Sequence, residues 1–517
     1  MQPYPRRWQA LGVLGLSLLI ITVANTILNV ALPTIRDELD ATASQQQWIV
    51  DAYLLVFSGL LLAAGSLGDR FGRRKALVGG LLVFAAGSVC AALSDGATAL
   101  IASRALMGVG GAAIMPTTLS ILTNIFPSDE RPRAIAAWAA VSGIGIALGP
   151  ITGGWLIEHA SWNAIFLVNL PLVAACLIGV AALVPESRDP SSPRLDLAGT
   201  GLSIAGLSAV VWGLIEAPER GWGHPVILAA FAGGAAVLAA FVAWEARSDH
   251  PMLDVRVFRN LRFSGASVAI TFVFFALMGV MYLMTTFLQS VLGYSALETG
   301  VRVLAIAAGM ILASKASVRL SQRLGTKLVV AAGLATVAAG LWLVAGFDLA
   351  TTDLELAMAF FTIGQGIGLA MPPATEAIMG SLPREKAGVG SAMNDVVREL
   401  GGTLGIAVLG SVLTSGYGSG MDGAVGGLPA GAADAAGDSV GAAHVIGTQI
   451  GGGAGAKLIQ VADASFVDAL ATTATLGAAA AVIGALIALA FLPARASGAP
   501  GDQRTGTAAT LPEPAAA

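Results

Sequence analysis

The chain has 517 residues, of which 56% are hydrophobic and 12% charged, with a mean hydropathy of +0.78. A soluble domain is about a quarter charged, so this composition excludes a soluble enzyme and calls for a polytopic membrane protein. The net charge of -4 argues against nucleic-acid binding, and the 65 glycines suit closely packed membrane helices.

A membrane helix needs about 20 apolar residues. Taken in order, the apolar runs predict about fourteen spans, at 9–32, 47–66, 76–94, 97–124, 134–157, 162–184, 197–217, 224–244, 264–290, 297–318, 328–347, 355–380, 388–414 and 466–492. The first run follows Arg6 and Arg7, is too long for a signal peptide and lacks a cleavage site, so it is expected to be a retained helix. Between the second and third spans lies Gly65-Ser-Leu-Gly-Asp-Arg-Phe-Gly-Arg-Arg-Lys75, a glycine-punctuated loop with cations at Arg70, Arg73, Arg74 and Lys75. Basic loops resist translocation, which places this one on the cytoplasmic side. From a cytoplasmic start, roughly 21 of the 28 Lys and Arg fall in cytoplasmic segments. Arg36, Arg220 and Lys457 fall outside, and Arg104, Arg302, Lys315 and Arg398 fall within spans. This asymmetry predicts a multi-pass protein of the plasma membrane, surrounded by lipid, with both termini cytoplasmic.

Cys90 and Cys176 lie in apolar runs, which speaks against a disulfide framework. The four histidines are scattered and make no metal-ligand cluster. The Gly/Ala-rich segment Gly416–Ala462 falls outside and is expected to be a flexible loop, with room for a short surface helix. The tail at 496–517 is too poor in large apolar groups to order itself. Leu67-Gly-Asp-Arg-Phe-Gly-Arg-Arg74 is echoed by Leu320-Ser-Gln-Arg-Leu-Gly-Thr-Lys327. If the two loops correspond, 1–185 and 263–495 are equivalent six-helix halves and 186–262 carries an inserted helix pair, the seventh and eighth, with its linkers. Duplicated halves place a substrate site between them near the bilayer midplane in many transporters.

The basic loop resembles the signature between helices 2 and 3 of the major facilitator superfamily. Ser142-Gly-Ile-Gly-Ile-Ala-Leu-Gly-Pro-Ile-Thr-Gly-Gly154 is similar to the fifth-helix motif of its exporters, and Arg104-Ala-Leu-Met-Gly108 to its fourth-helix arginine motif, with Met107 where Gln is common. Asn25-Thr-Ile-Leu-Asn-Val-Ala-Leu-Pro33, Trp48-Ile-Val-Asp-Ala-Tyr53 and Gly388-Val-Gly-Ser-Ala-Met-Asn-Asp-Val-Val-Arg-Glu-Leu-Gly-Gly402 resemble the fourteen-helix drug:proton antiporter branch. The resemblance implies an all-α integral membrane protein with the major facilitator fold, two six-helix halves plus the inserted pair. Many members of that branch carry Asp where this chain has Ala24. That acid helps bind cationic drugs, so strong selectivity for dications is not expected here.

A proton-coupled transporter needs a carboxylate inside the membrane whose proton affinity changes with the side it faces. A charge at mid-membrane costs roughly 2.5–3.5 kcal/mol on insertion scales, so such residues are rarely idle. Asp51, near the outer end of helix 2, is a candidate for proton and cation exchange, as its match to the branch motif suggests; the plain alternative is an outer-end acid reaching headgroup water. Asp395 and Glu399 lie about 6 Å apart on one face of helix 13 beside Arg398. They suit either exchange of a proton for a substrate cation or a structural ion network. Arg104, early in helix 4, either tunes a facing acid or bonds helix-end carbonyls. Glu376, Lys315, Arg302 and Glu216 are expected to snorkel from helix ends.

Gly145, Gly149 and Gly153, with Pro150 and Gly154 beside them, form a smooth stripe on helix 5 for close helix packing. The family resemblance adds a seal between the halves that stops proton leak. Asp69, Arg70 and Arg73, around the turn at Gly72, are expected to form ion pairs that latch the halves in one state. The combined reading is a proton-driven exporter of hydrophobic, cationic or amphiphilic small molecules working by alternating access, with the proton gradient as energy source and no cofactor. The alternatives are a dedicated exporter of one endogenous product, a proton-coupled uptake symporter, which the helix-5 motif disfavours, and a membrane enzyme or receptor, for which no catalytic cluster speaks.

Overall fold

The structure, a computed structural model, describes residues 4–188, 196–248, 251 and 253–493. The tail at 496–517 lies outside the described residues, as do parts of both linkers around the inserted pair. The described residues form α-helices and short 3₁₀ and π turns, with no strand among them. In order the helices are α1 (Arg7–Leu39), α2 (Ala43–Phe71), α3 (Arg73–Ala92), α4 (Ala97–Ile125), α5 (Arg131–His159), α6 (Ala164–Leu167), α7 (Asn169–Leu183), α8 (Leu197–Arg220) and α9 (Pro225–Glu245). They continue with α10 (Leu261–Thr286), α11 (Ala296–Leu324), α12 (Thr326–Val344), α13 (Asp353–Met379), α14 (Ala387–Met421), α15 (Ala430–Asp438), α16 (Val440–Ile450) and α17 (Gly452–Phe491). Fourteen spans among the described residues are long and apolar enough to cross a membrane, with α6 and α7 making one of them and α15 and α16 none.

Packing repeats across the chain. α1 packs on α5 and α7, α2 on α4, and α3 on α4 and α7. The same pairings recur as α10 on α14 and α17, α11 on α13, and α12 on α13 and α17. The turns match as well. Gly72 joins α2 to α3 at φ 114°, and Gly325 joins α11 to α12 at φ 89°. A side chain is strained at such angles, and glycine is not, so one residue suffices to reverse the chain. α2 and α11 also share a capping box at the opposite end, Thr42 with Gln45 and Ser295 with Glu298. The two bundles meet where α2 and α4 face α14, and where α5 faces α11 and α13. α8 packs on α9 and lies against both α2 and α14.

Large apolar side chains such as Leu82, Ile178, Leu312, Trp342 and Leu486 stay exposed on the outer faces. Lipid is as apolar as the core, so they need no protein cover there. The segment 416–462 departs from the expected loop. α14 runs on to Met421, α15 and α16 fill most of the interval, and α17 begins at Gly452, fourteen residues before the expected start at 466. Its alanines favour helix once there is something to pack on. Tyr417 donates to the Ala436 carbonyl at 2.8 Å, His444 Nε2 lies 2.6 Å from Asp463, and Gly447 crosses Gly455 at close range.

Candidate functional site

At the end of the molecule carrying the Gly72 turn, Asp69 is buried at the close of α2. Its carboxylate accepts from Arg73 Nε at 2.8 Å and pairs with Arg73 Nη2 at 2.7 Å. It also accepts the backbone N–H groups of Gly388 and Val389, at 2.9 and 3.1 Å. These donors open α14, where free N–H groups and the helix dipole favour an anion. Arg73 Nη2 donates to the Glu385 carbonyl at 2.8 Å, just before the same helix. The link between bundles therefore differs from the expected side-chain latch: Asp69 and Arg73 pair with each other and hold the other bundle through its backbone. Gly65 lets this happen, since a Cβ there would lie 2.6 Å from the Gly388 carbonyl. The Arg70 guanidinium lies 5.3 Å from the Phe71 ring centroid. Glu186 accepts the Arg74 N–H at 3.1 Å, and a Cβ on Gly72 would lie 2.7 Å from that carboxylate.

The glycines of α5 divide between two neighbours. Gly145 and Gly149 seat α1, where a Cβ on either would meet the hydroxyls of Thr22 and Thr26. The face toward the other bundle is different. A Cβ on Gly143 would lie 3.1 Å from Met310 Sδ, and one on Gly300 would lie 3.1 Å from Pro150. A Cβ on Gly154 would sit 3.9 Å from that of Leu297. The contact of α5 with the other bundle therefore runs through Gly143, Pro150, Ile151 and Gly154. Gly145 and Gly149 serve packing within their own bundle, and Gly153 is buried.

The polar interior centres on α14. Asp395 and Arg398 are 1% and 5% exposed, with Oδ1 and Nη1 3.5 Å apart. Asn394 Nδ2 donates to Asp395 Oδ1 at 3.3 Å, and Thr375 on α13 donates to Asn394 at 3.2 Å. Asp395 Oδ2 and Arg398 Nε are buried without a hydrogen-bond partner among the described residues. The Arg398 guanidinium instead lies over two rings, Phe274 of α10 at 4.5 Å and Trp138 of α5 at 5.3 Å. Trp138 comes from the opposite bundle and donates to Thr118 of α4 at 3.3 Å. Trp138, Phe274, Thr375 and Asn394 were not expected; aromatic and amide residues in apolar runs look like core until their neighbours are known.

Arg104 is 1% exposed and donates from Nε to the Ile49 carbonyl at 3.0 Å, with its guanidinium 4.5 Å from the Tyr53 ring centroid. It is thus satisfied by backbone and a π face. Glu399, partly buried, lies within electrostatic reach of Tyr53. Asp51 is separate from this cluster: its charged neighbours are Glu216 and Glu219 of α8. The structure therefore brings Asp395, Arg398 and Glu399 together and sets Asp51 beside the inserted pair. Glu216 does not snorkel; it is 5% exposed and 2.5 Å from Arg220. Glu376 is partly buried among Arg131 of α5 and Arg262 of α10. Arg302 is tied to Asp353 at 2.8 Å and lies 3.6 Å from the Tyr294 ring centroid. Ala24, where an acid is common in the resembled branch, is 3% exposed among apolar neighbours.

A family model described as Major Facilitator Superfamily matches residues 14–406. The chain is 37% identical over 489 residues to the multidrug efflux pump LfrA of Mycolicibacterium smegmatis, covering 93% of this chain and 96% of that one. It is 32% identical over 497 residues to the tetracenomycin C resistance and export protein of Streptomyces glaucescens, covering 94% and 91%. Among solved structures, the human organic anion transporter MFSD10 superposes with a TM-score of 0.62 at 16% identity, over 94% of this chain and 99% of that one, a likeness of fold. With the repeated bundles, the glycine turn and the interior polar cluster, these matches establish that the chain belongs to the Major Facilitator Superfamily.

Proposed function

We propose that the protein is a proton-coupled exporter of hydrophobic, cationic or amphiphilic small molecules, working by alternating access between two six-helix halves. The Gly72 turn would face the cytoplasm, with both termini on that side of the plasma membrane. The observation that carries this reading is the Asp395–Arg398 pair, buried in an apolar bundle with one carboxylate oxygen and one guanidinium nitrogen left without hydrogen bonds. Groups left so are costly, and the cost is repaid when a proton or substrate cation is exchanged there. Relatives named for efflux of drugs support the outward direction. An inward proton brings about 2.3 kcal/mol per 100 mV of membrane potential, plus any pH gradient. Walls of Trp138, Phe274 and neighbouring apolar side chains would bind by area, which favours breadth over strict selectivity.

In inverted membrane vesicles with an imposed pH gradient, a planar cationic dye should dissipate the gradient with the native chain. D395N keeps the shape of the site and should reduce that dissipation about tenfold or more, the effect of roughly 1.4 kcal/mol. Dissipation at the native rate in D395N would remove the proposed site. A second reading, a dedicated exporter of one compound, is favoured by the relative named for export of tetracenomycin C. It predicts that dissipation is seen with a single chemical series only.

A further inference from the structure

Helix α8 belongs to neither six-helix bundle, yet it carries a buried acid, Glu216, ion-paired to Arg220 at the end of the molecule away from the Gly72 turn. Two contacts fix its register on α2. A Cβ on Gly59 would meet the Ser208 hydroxyl, and the Gln47 amide, turned to donate, reaches Glu219 at 2.6 Å. The helices are antiparallel, so the interval from Gln47 to Glu219 at one end and from Gly59 to Ser208 at the other sets Asp51 level with Glu216. Gln47 and Asp51 share one face of α2, four residues apart, and Glu216 and Glu219 share the facing side of α8. Beyond them, Trp222 donates to Ser411 of α14 at 3.0 Å and pins this end of α8 to the second bundle.

Glu216 is buried while its partner Arg220 leaves 47% of its side chain in the open, with its guanidinium 5.8 Å from the Trp212 ring. The guanidinium therefore sits on the outer side of the pair, and the carboxylates of Glu216 and Glu219 are what face Asp51. Among the other elements packed against α2, α4 brings Arg104, engaged with the Ile49 carbonyl and Tyr53, and α14 brings Glu399, with Asp395 and Arg398 paired to each other. The cations of α3 and the charges at 384–386 lie at the Gly72 end, and α1 carries Arg36 and Glu38 near its close. An ion pair with one partner in the open adds little stability, so it does not by itself account for a buried carboxylate at Glu216. We infer that Glu216 is a positioning residue for proton exchange at Asp51, so that the inserted helix pair takes part in transport. This rests on the expectation, from its motif, that Asp51 exchanges protons alongside the proposed site at Asp395. A fixed negative charge level with Asp51 favours uptake of a proton arriving from the outer side, and Arg220 keeps that charge in place.

The test is ethidium efflux by the full-length chain in cells, followed between about pH 5 and 8 outside, for E216Q, E219Q and D51N. E216Q is expected to move the midpoint of the pH profile toward acid by about 0.5–1.5 units, the effect of one charge roughly 8–20 Å away at an effective dielectric constant near 20. E219Q, exposed and screened, should move it the same way by less, and E216Q should add nothing in a D51N background. A profile for E216Q that superimposes on the native one, while D51N abolishes the pH dependence, overturns the inference and leaves the proposed function standing. A native profile in D51N overturns both the inference and the assignment of Asp51. Should E216Q fail to accumulate in the membrane, E219Q decides, and an unmoved midpoint there overturns the inference.

Discussion

Single side chains set the character of the two ends. Asp69 gathers Arg73 and two backbone donors of the other bundle, so its charge rather than its shape holds them. An amide in its place keeps one acceptor and loses the anion at the start of α14, which is worth about 0.5–2 kcal/mol. D69N is thus expected to slow efflux several-fold while the protein still reaches the membrane; efflux at the native rate, with equal amounts by immunoblot, would reject a role for the link. Near the same end, Arg7 donates to Glu130 at 2.7 and 2.8 Å, and these bonds hold the Glu130 carboxyl below the usual carboxylate range. Such a group stabilises the fold above its unfolded value and ceases to as pH falls through its folded value. The tie should therefore be intact at neutral pH and lost only as pH falls below the ordinary glutamate range. E130Q should flatten that acid limb slightly in the thermal stability of detergent-solubilised protein, and an unchanged limb would count against the tie.

Among the elements, α5 shows how one helix serves two neighbours. Its side toward α1 has glycine where any larger group would collide with Thr22 or Thr26, and its side toward α11 meets Met310, Gly300 and Leu297. Gly149→Val should therefore act on folding. Overpacking of this kind costs about 1–3 kcal/mol or more, and a lower melting temperature and reduced yield are expected. A variant that is fully stable but inactive would mean that Gly149 acts in transport instead. α8 is the contrasting element: it touches both bundles while belonging to neither repeat.

For the whole molecule, the bundles are joined at both ends, by α14 on Asp69 at one and by α5 on α11 at the other. Alternating access requires one of these contacts to open during each cycle. Gly154→Cys with Leu297→Cys tests the second. The Cβ separation of 3.9 Å suits a disulfide. With Cys90 and Cys176 replaced by serine, oxidation should cross-link the pair and cut efflux at least about tenfold, and a reductant should restore it. Efflux unaffected by complete cross-linking would show that this contact stays closed throughout.

The membrane class, the fourteen apolar spans, the repeat of the glycine turn and the short inventory of charges in apolar surroundings are all legible in the residues alone. Those properties depend on local composition and on the length a helix needs to cross hydrocarbon. The sequence also singled out Asp395, Arg398 and Glu399, because a charge inside an apolar run is conspicuous wherever its partners lie, and Asp69 through the cations of the loop around it. Tertiary packing alone decided the partners. Asp69 meets a helix start more than three hundred residues away, Arg398 lies over rings from two other helices, and Asp51 has its charged neighbours on the inserted pair and not in the Asp395 cluster of α14. It also decided that 416–462 is largely helical, since short alanine-rich helices persist only against a neighbour. Residue spacing shows which side chains share a face of one helix, and only the packed bundle shows what that face touches.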